Sequence, residues 1–536
     1  MKLVVFLVAT ILVASQCHGA SFRSFPLRLP TGYGDGASYG DVRCASWRLA
    51  VEAKNIFGFE TIPEQCVEAT ANYIEGGQYQ SDSKTVNQQV FFFARDREIH
   101  ENDVVLFNID GTVLSNVPYY SQHGYGSEKF NSTRYDEEFV NKGNAPALPE
   151  TLKNYNKLLD LGLKVIFLTG RRTDKKAVTE ANLKKAGYHT WEKLILKDPS
   201  NNQNSVEYKS TERAKLVQQG YRIIANVGDQ WSGLSGHNVG IRTFKLPNPI
   251  DSTTEFSLCA FNKLWNFLNC YSNSDERIMK VFVFVVAITV AAWQCEGSEH
   301  GASFQIFPLR MKTGHGGRYI PEVSCQSWRV GVEAHNVIEW KTVPLDCEGY
   351  VGNYMLGDQY RSDSKTVCGE AYSYANTLNI TAKDIWVFDV DETTLSNLPY
   401  YAHHGFGVEP YNSTLFNKWV DLGEAPALPE SLKLYKKLLS LGIKIVFLTG
   451  RPLEQKAITV TNLKIAGYHK WEKLIVKDTS IYHGKTAVTY KSSERKKLEE
   501  QGYNIIGNIG DQWSDILGTN TGDRTFKLPD PMYYIS

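Results

Sequence analysis

The side chains able to do chemistry in this 536-residue chain gather where short apolar runs end. Asp384-Ile385-Trp386-Val387-Phe388 is followed by Asp389 and Asp391, Ile443 to Leu448 by Thr449, and Tyr503 to Ile509 by Asp511 and Asp515. Runs of this kind, with a further one at Leu474-Ile475-Val476, predict buried strands. Pro429 to Leu441, Glu454 to Ala466 and Ser492 to Gln501 carry helical spacing, and all three stop at a glycine. The alternation predicts an α/β fold, an open and mostly parallel sheet with right-handed crossovers. In such sheets ligands sit outside the carboxyl ends of the strands. Carboxylates and a hydroxyl delivered there from three strand ends repel one another unless a cation lies among them, and an all-oxygen set suits Mg²⁺. A lone Asp-x-Asp says little, because Asp also caps helices and fills turns. The joint placement carries the reading.

Long-period duplication organises the rest of the chain. Ser81 to Val86 matches Ser362 to Val367, Ala145 to Glu150 matches Ala425 to Glu430, Leu168 to Arg171 matches Leu448 to Arg451, and Lys245-Leu246-Pro247 matches Lys527-Leu528-Pro529. Two copies of one domain are expected, at 20–249 and 298–536. Each is preceded by a Met-Lys and a short apolar run. Residues 1–19 read as a signal peptide, and 279–297 repeat that design internally, as two joined coding regions would. Residues 250–278 form a spacer without a counterpart in the second copy. Neither apolar run is long enough to favour a membrane span. Overall, 42% hydrophobic and 22% charged residues describe a globular chain, not a disordered one. Lys+Arg and Asp+Glu both total 58, which removes the charge argument for nucleic acid or anionic membranes.

Cys44 and Cys66 recur at the same spacing as Cys325 and Cys347. In a chain entering the secretory route this predicts one disulfide per copy; ligation of a metal is the weaker reading, since neither pair has zinc-site spacing. Asn131, Asn379 and Asn412 begin glycosylation sequons.

Phe388-Asp389-Val390-Asp391-Glu392-Thr393, Phe447 to Arg451, Lys491 in Tyr490-Lys491-Ser492, and Gly510 to Asp515 resemble the four motifs of haloacid-dehalogenase-like phosphatases. With Cys325, Trp328 and the Leu-Pro-Glu segment, each copy resembles plant acid phosphatases of class B type and vegetative storage proteins of that superfamily. The resemblance implies two tandem Rossmann-like domains, each with a small cap segment. It implies that Asp389 attacks the phosphorus of a small phosphate monoester, that Asp391 serves as acid and then base, and that Thr449 and Lys491 hold the phosphate oxygens. It further implies Mg²⁺ bound by the Asp389 carboxylate, the Asp391 backbone carbonyl and Asp511, with Asp515 supporting the metal's waters. Lys473 and Lys477 remain alternatives to Lys491 by spacing, and a lysine at a helix start is usually solvated. His403, His404, Tyr400, Tyr401, Tyr411 and Trp419 follow the first motif, where substrate contact or an entrance is one reading and ordinary surface or core packing the other.

The first copy has Asn108, Asp110, Thr169, Lys209 and Asp229 at the matching positions, with Gly233 in place of Asp515. A neutral amide is a poor nucleophile, so turnover is expected in the second copy only. The competing expectation, also implied by the resemblance, is an amino-acid reserve whose second site contributes little. Dimerisation or pairing of the two domains, and a vacuolar or extracellular destination, complete what the resemblance implies.

Overall fold

The computed structural model describes residues 42–56, 59–250 and 323–536. Both leader-like segments and nearly all of the spacer lie outside the described residues.

Each copy is built on a five-stranded parallel sheet. In the first, β1 (Asp103–Phe107), β2 (Lys164–Arg172), β3 (Lys193–Lys197), β4 (Arg222–Gly228) and β5 (Arg242–Lys245) are ordered β3-β2-β1-β4-β5. In the second, β6 (Asp384–Phe388), β7 (Lys444–Pro452), β8 (Lys473–Lys477), β9 (Asn504–Gly510) and β10 (Thr525–Lys527) repeat that order, so β6 is central. Alternate residues of β6 face opposite ways, as the two-residue period of a strand requires. Trp386 and Phe388 pack with Leu434, Leu438 and Ala371 on one side of the sheet, while Ile385 and Val387 pack with Tyr490 and Leu498 on the other. Burial on both faces is why β6 reads as an unbroken apolar run.

Element boundaries depart from the sequence reading at two places that matter. β7 continues through Thr449 to Pro452, with a pairing irregularity against β8 after Leu448. The last long helix begins at Ala487, not Ser492, because the Thr486 side chain accepts from the Thr489 amide and caps it. That extra turn places Lys491 inside the helix rather than at its start. Its burial runs against the alternative of a solvated lysine at a helix start. The cap segment of the second copy consists of the short helices Leu398–Ala402 and Ser413–Leu422. Asn412 caps the latter through its side-chain oxygen, as Asn131 caps Ser132–Glu138 in the first copy.

Cys44 is bonded to Cys66 and Cys325 to Cys347, so the disulfide reading holds. These bonds tie down a helix at the start of each copy, Val42–Glu52 and Cys325–Glu333, and both helices lie where the copies meet. The meeting is reciprocal. Ser46 Oγ donates to Ser362 Oγ at 2.8 Å, and Ser327 Oγ to Ser81 Oγ at 2.9 Å. Asn55 accepts from the Lys527 amide at 2.7 Å and donates to its carbonyl at 3.0 Å; Asn336 does the same to Lys245 at 2.8 and 2.9 Å. Each asparagine thereby gives the edge strand of the other copy the paired donor and acceptor that a neighbouring strand would. Trp231 and Trp513 lie with ring centroids 6.0 Å apart at the same junction.

Replacing Asn55 by Ala strips partners from two buried backbone groups. At about 1–3 kcal/mol for each unsatisfied group, Asn55→Ala is expected to lower unfolding free energy by roughly 2–6 kcal/mol in urea denaturation, and Asn336→Ala to match it. A loss below about 0.5 kcal/mol, the range of an ordinary surface change, would contradict this account of the junction.

Candidate active site

The turns that follow β6 and β9 bring three of the expected acids, Asp389, Asp511 and Asp515, together. The Asp389 amide still donates to the Ile509 carbonyl of the neighbouring strand at 3.1 Å, and its own carbonyl accepts from Thr394 Oγ1 at 2.5 Å. Thus held by its backbone, Asp389 is 6% exposed, and its Oδ1 accepts from Lys491 Nζ at 2.5 Å. The same ammonium donates to Asp515 Oδ1 at 2.5 Å. Lys491 therefore bridges two carboxylates, whereas Lys473 is taken up by Gln501 near the surface and Lys477 lies over the Tyr490 ring. Ligand oxygens of Asp389, Asp511 and Asp515 lie within 4.8 Å of one another, among the described residues the one group of acids close enough to hold a metal ion.

Burial pushes the Asp389 carboxyl well above the usual carboxylate range; Lys491 opposes this, and Asp515, Asp511 and Asp391 add to it. Asp511 is raised in the same way, first by burial and then by Asp515 and Asp530. Its oxygens accept from Thr393 at 2.9 Å, Gln512 at 3.0 Å and Tyr533 at 3.0 Å. The donor set fits a hard divalent cation: oxygen ligands, closely spaced, with more carboxylate charge than Lys491 offsets. Asp515 joins this cluster directly, so the carboxylate oxygens brought nearest Asp389 and Asp511 are those of Asp515, and the structure gives the Asp391 carboxylate other partners.

Those partners are Arg451 and Asn397. Arg451 Nη2 donates to Asp391 Oδ1 at 2.7 Å and Nε to both oxygens at 3.1 Å; Asn397 Nδ2 adds a bond at 2.9 Å. Burial raises the Asp391 carboxyl, but Arg451 and Asn397 outweigh it and hold the group below the ordinary range. Thr449, fully buried, accepts the Arg451 amide at 3.1 Å and stands 3.4 Å from Asp391 Oδ2. Glu392 adopts a left-handed φ of 52°, uncommon outside glycine. Its buried carboxyl accepts from the Asn397 amide and is pushed well upward by burial. Asp530 is likewise buried and raised, and accepts from Gln512 at 3.0 Å.

Arg451 and Glu392 lie within the motifs, where spacing alone gives them no role, and Asp530 lies outside them. Recurrence of the arginine as Arg171 was the available signal. For Asp530 it was the contrast with Asn248 after an identical Lys-Leu-Pro. Of the residues after the first motif, Tyr401 and Tyr411, with Phe416 and Tyr533, line a cavity of about 310 Å³ that opens onto Asp391 and Arg451. Tyr400 is buried and stacked on His404, whose Nδ1 lies 2.8 Å from the Tyr400 carbonyl, and Trp419 donates to Asn397 at 2.9 Å. Neither His403 nor His404 lines that cavity.

In the first copy the same turn presents Asn108, 5% exposed, with its Nδ2 lacking any partner. A Cβ at Gly233 would lie 2.1 Å from that nitrogen, so the amide occupies space that an aspartate at 233 would need. Asp110 retains the arginine pair, with Arg171 Nη2 at 2.6 Å and Nε at 2.9 and 3.2 Å. Asp229 accepts from Thr112 at 2.9 Å and Asn248 at 2.7 Å. Thr169 and Lys209 are buried at their expected positions.

The model of the family described as HAD superfamily, subfamily IIIB (acid phosphatase) matches residues 29–253 and again 310–536. A stem 28 kDa glycoprotein of Glycine max is 69% identical over 47% of this chain and 98% of its own length. Acid phosphatase 1 of Solanum lycopersicum is 46% identical over 48% of this chain and all of its own length. Vegetative storage protein 1 of Arabidopsis thaliana is 45% identical over 40% of the chain and 79% of its own length. Matched twice along its length, on two sheets of the same strand order, the chain belongs to the HAD-superfamily subfamily IIIB acid phosphatases.

Proposed function

We propose that the second copy hydrolyses phosphate monoesters through an aspartyl-phosphate on Asp389, and that the first copy does not turn over. The observation that carries this reading is the cluster of Asp389, Asp511 and Asp515 around Lys491, set against Asn108 and Gly233 at the matching positions. A carboxylate Oδ of Asp389 attacks phosphorus while the bond from phosphorus to the ester oxygen breaks. Asp391 supplies the proton that the leaving oxygen takes up. A water then attacks the aspartyl-phosphate, Asp391 takes its proton back, and inorganic phosphate and free Asp389 result. Thr449 and Lys491 donate to the non-bridging oxygens. Mg²⁺ held by Asp389, Asp511 and the Asp391 carbonyl, with Asp515 beside it, would supply the charge neutralisation that lets an anionic nucleophile approach an anionic ester. Because Arg451 keeps Asp391 ionised in the free enzyme, the proton needed by the leaving group is loaded as pH falls, which suits an acid phosphatase.

A second reading, an amino-acid reserve, draws support from the relatives named as vegetative storage proteins and from a first copy that keeps its whole sheet without the acids. Both readings place the chain on the secretory route, to vacuole or cell exterior. Two disulfides and exposed sequons at Asn131, Asn379 and Asn412 favour that route. Among the described residues no helix is long and apolar enough to cross a membrane.

Four outcomes test the enzyme reading. Asp389→Asn in the full chain is expected to lower p-nitrophenyl phosphate turnover by about a thousandfold or more, in the range of other nucleophile deletions; rates equal to the parent would favour the reserve. Asn108→Asp on that background should restore little, since Gly233 still lacks the second carboxylate. Chelation should abolish turnover, and Mg²⁺ should raise the thermal midpoint in a manner lost in Asp511→Asn; a metal-independent rate would contradict the proposed ligand set. Finally, Arg451→Gln removes the charge that lowers Asp391. Its proton is then retained to higher pH, so the alkaline limb of kcat/KM for phenyl phosphate, whose leaving group needs protonation, should move upward. A downward or absent shift would sink Asp391 as the acid.

A further inference from the structure

The sequon Asn412-Ser413-Thr414 sits at the start of a helix that walls the second site. All three residues are exposed, and Asn412 Oδ1 accepts from the Leu415 amide at 3.1 Å as the cap of helix Ser413–Leu422. That bond occupies the side-chain oxygen. The amide nitrogen Nδ2, the atom to which a glycan is attached, has no partner among the described residues. Cap and modification therefore use different atoms of one side chain, and the folded helix end accommodates both.

Its neighbours give the position its meaning. Tyr411 on one side, and Phe416 and Asn417 a turn further along, line the cavity of about 310 Å³ that opens onto Asp391 and Arg451. Tyr411 is 59% exposed, so it belongs to the rim of that cavity, and a group attached at Asn412 starts from the rim. The first copy repeats the arrangement: Asn131 caps Ser132–Glu138, and Phe130, Ser132 and Thr133, on either side of it, line that copy's cavity. The third sequon lies elsewhere. Asn379, also exposed, precedes Asp384, where β6 begins, whereas the site follows Phe388, where β6 ends. At about 3.3 Å per residue the strand alone separates the two ends by roughly 15 Å.

We propose that Asn412 carries an N-linked glycan that overhangs the mouth of the second site, admitting small phosphate monoesters and excluding phosphoryl groups displayed on folded proteins. The proposal rests on the enzyme reading above and adds the class of ester that reaches Asp389. Attachment forms a bond between Asn412 Nδ2 and the anomeric carbon of an oligosaccharide carried on a polyprenyl diphosphate. The bond from that carbon to the diphosphate oxygen breaks, the diphosphate leaves with the bonding electrons, and Nδ2 gives up one proton. The product is still a neutral amide, so Oδ1 keeps its place as the cap. A glycan of neutral sugars adds bulk at the rim and no charge. A small anionic ester therefore meets no new electrostatic barrier, whereas a protein-sized one has to displace a solvated chain of sugars.

The test uses the full chain secreted from a eukaryotic host and two esters that share one leaving group, N-acetyl-phosphotyrosine amide and phosphotyrosine coupled to serum albumin. Peptide mass spectrometry is expected to find the glycan on Asn412. Thr414→Ala removes the sequon but keeps Asn412 and its cap. It should raise kcat/KM for the albumin conjugate at least about fivefold, roughly 1 kcal/mol of exclusion, and leave that for the small ester within about twofold. Thr414→Ser, which keeps the sequon, should match the parent, and Thr381→Ala, which removes the sequon at Asn379, should change neither rate. Trimming the folded parent with an endoglycosidase should reproduce the effect of Thr414→Ala without a substitution, which separates loss of the glycan from any loss of folding. An unmodified Asn412, an equal gain in Thr381→Ala, or unchanged discrimination after trimming in a chain that turns over the small ester would each overturn the proposal alone. No turnover of either ester would overturn it together with the enzyme reading.

Discussion

A lysine ammonium wedged between two buried carboxylates is the interaction on which the second copy depends. Asp389 and Asp515 both reach Lys491 at 2.5 Å, and Asp511, Glu392 and Asp530 lie buried around them. One cation cannot balance that many acids in a low-dielectric environment, so several carboxyls are pushed toward neutrality by burial and by one another. The site is therefore poised: it gains by admitting positive charge, and the phosphoryl group it is proposed to handle becomes acceptable only after that charge has arrived. Such stored electrostatic cost is the expected mark of a functional centre rather than of a stability device.

The first copy serves as a natural control for that argument. Its sheet order, disulfide, capping asparagine and buried Glu52–Lys245 pair all repeat those of the second copy. None of these features needed the lost acids, so the scaffold and the chemistry are separable. The Asp110–Arg171 pair survives as well, where Asn108 stands in place of Asp389, so the matching Asp391–Arg451 pair does not depend on the carboxylates around Lys491. Asn108 and Gly233, by contrast, form a matched set, because the amide fills the volume that a longer residue at 233 would claim.

Strand identity was legible in the sequence because the central residues of β6, β7 and β9 are buried on both faces and so read as largely apolar runs. The acids after β6 and β9 were legible for the same reason, since they mark where burial of the run ends. Lys491 was harder. Its helix begins with a Thr486 cap that no apolar periodicity announces, and the residue's burial depends on two carboxylates contributed from elsewhere in the chain. Arg451 and Asp530 take their meaning from partners 60 and 18 residues away, a separation at which spacing is silent.

Contact between the copies joins these two themes. Asn55 of the first copy fixes the backbone of Lys527 at the end of β10, and the Lys527 ammonium binds Glu333 at 2.9 Å. The Glu333 carbonyl in turn receives the Trp513 indole at 3.1 Å, and Trp513 lies between Gln512 and Asp515 in the acidic turn. Through this chain of bonds a residue of the first copy is connected to the loop that carries Asp511 and Asp515. The reverse path runs through Asn336, Lys245, Glu52 and Trp231 to the loop of Asp229. Because each copy's asparagine pairs backbone groups on the other's edge strand at this junction, the first copy, without counterparts to Asp389 and Asp515, still completes the surroundings of the second. That structural dependence gives a physical reason for the first copy to keep its fold even where it lacks the acids of the second.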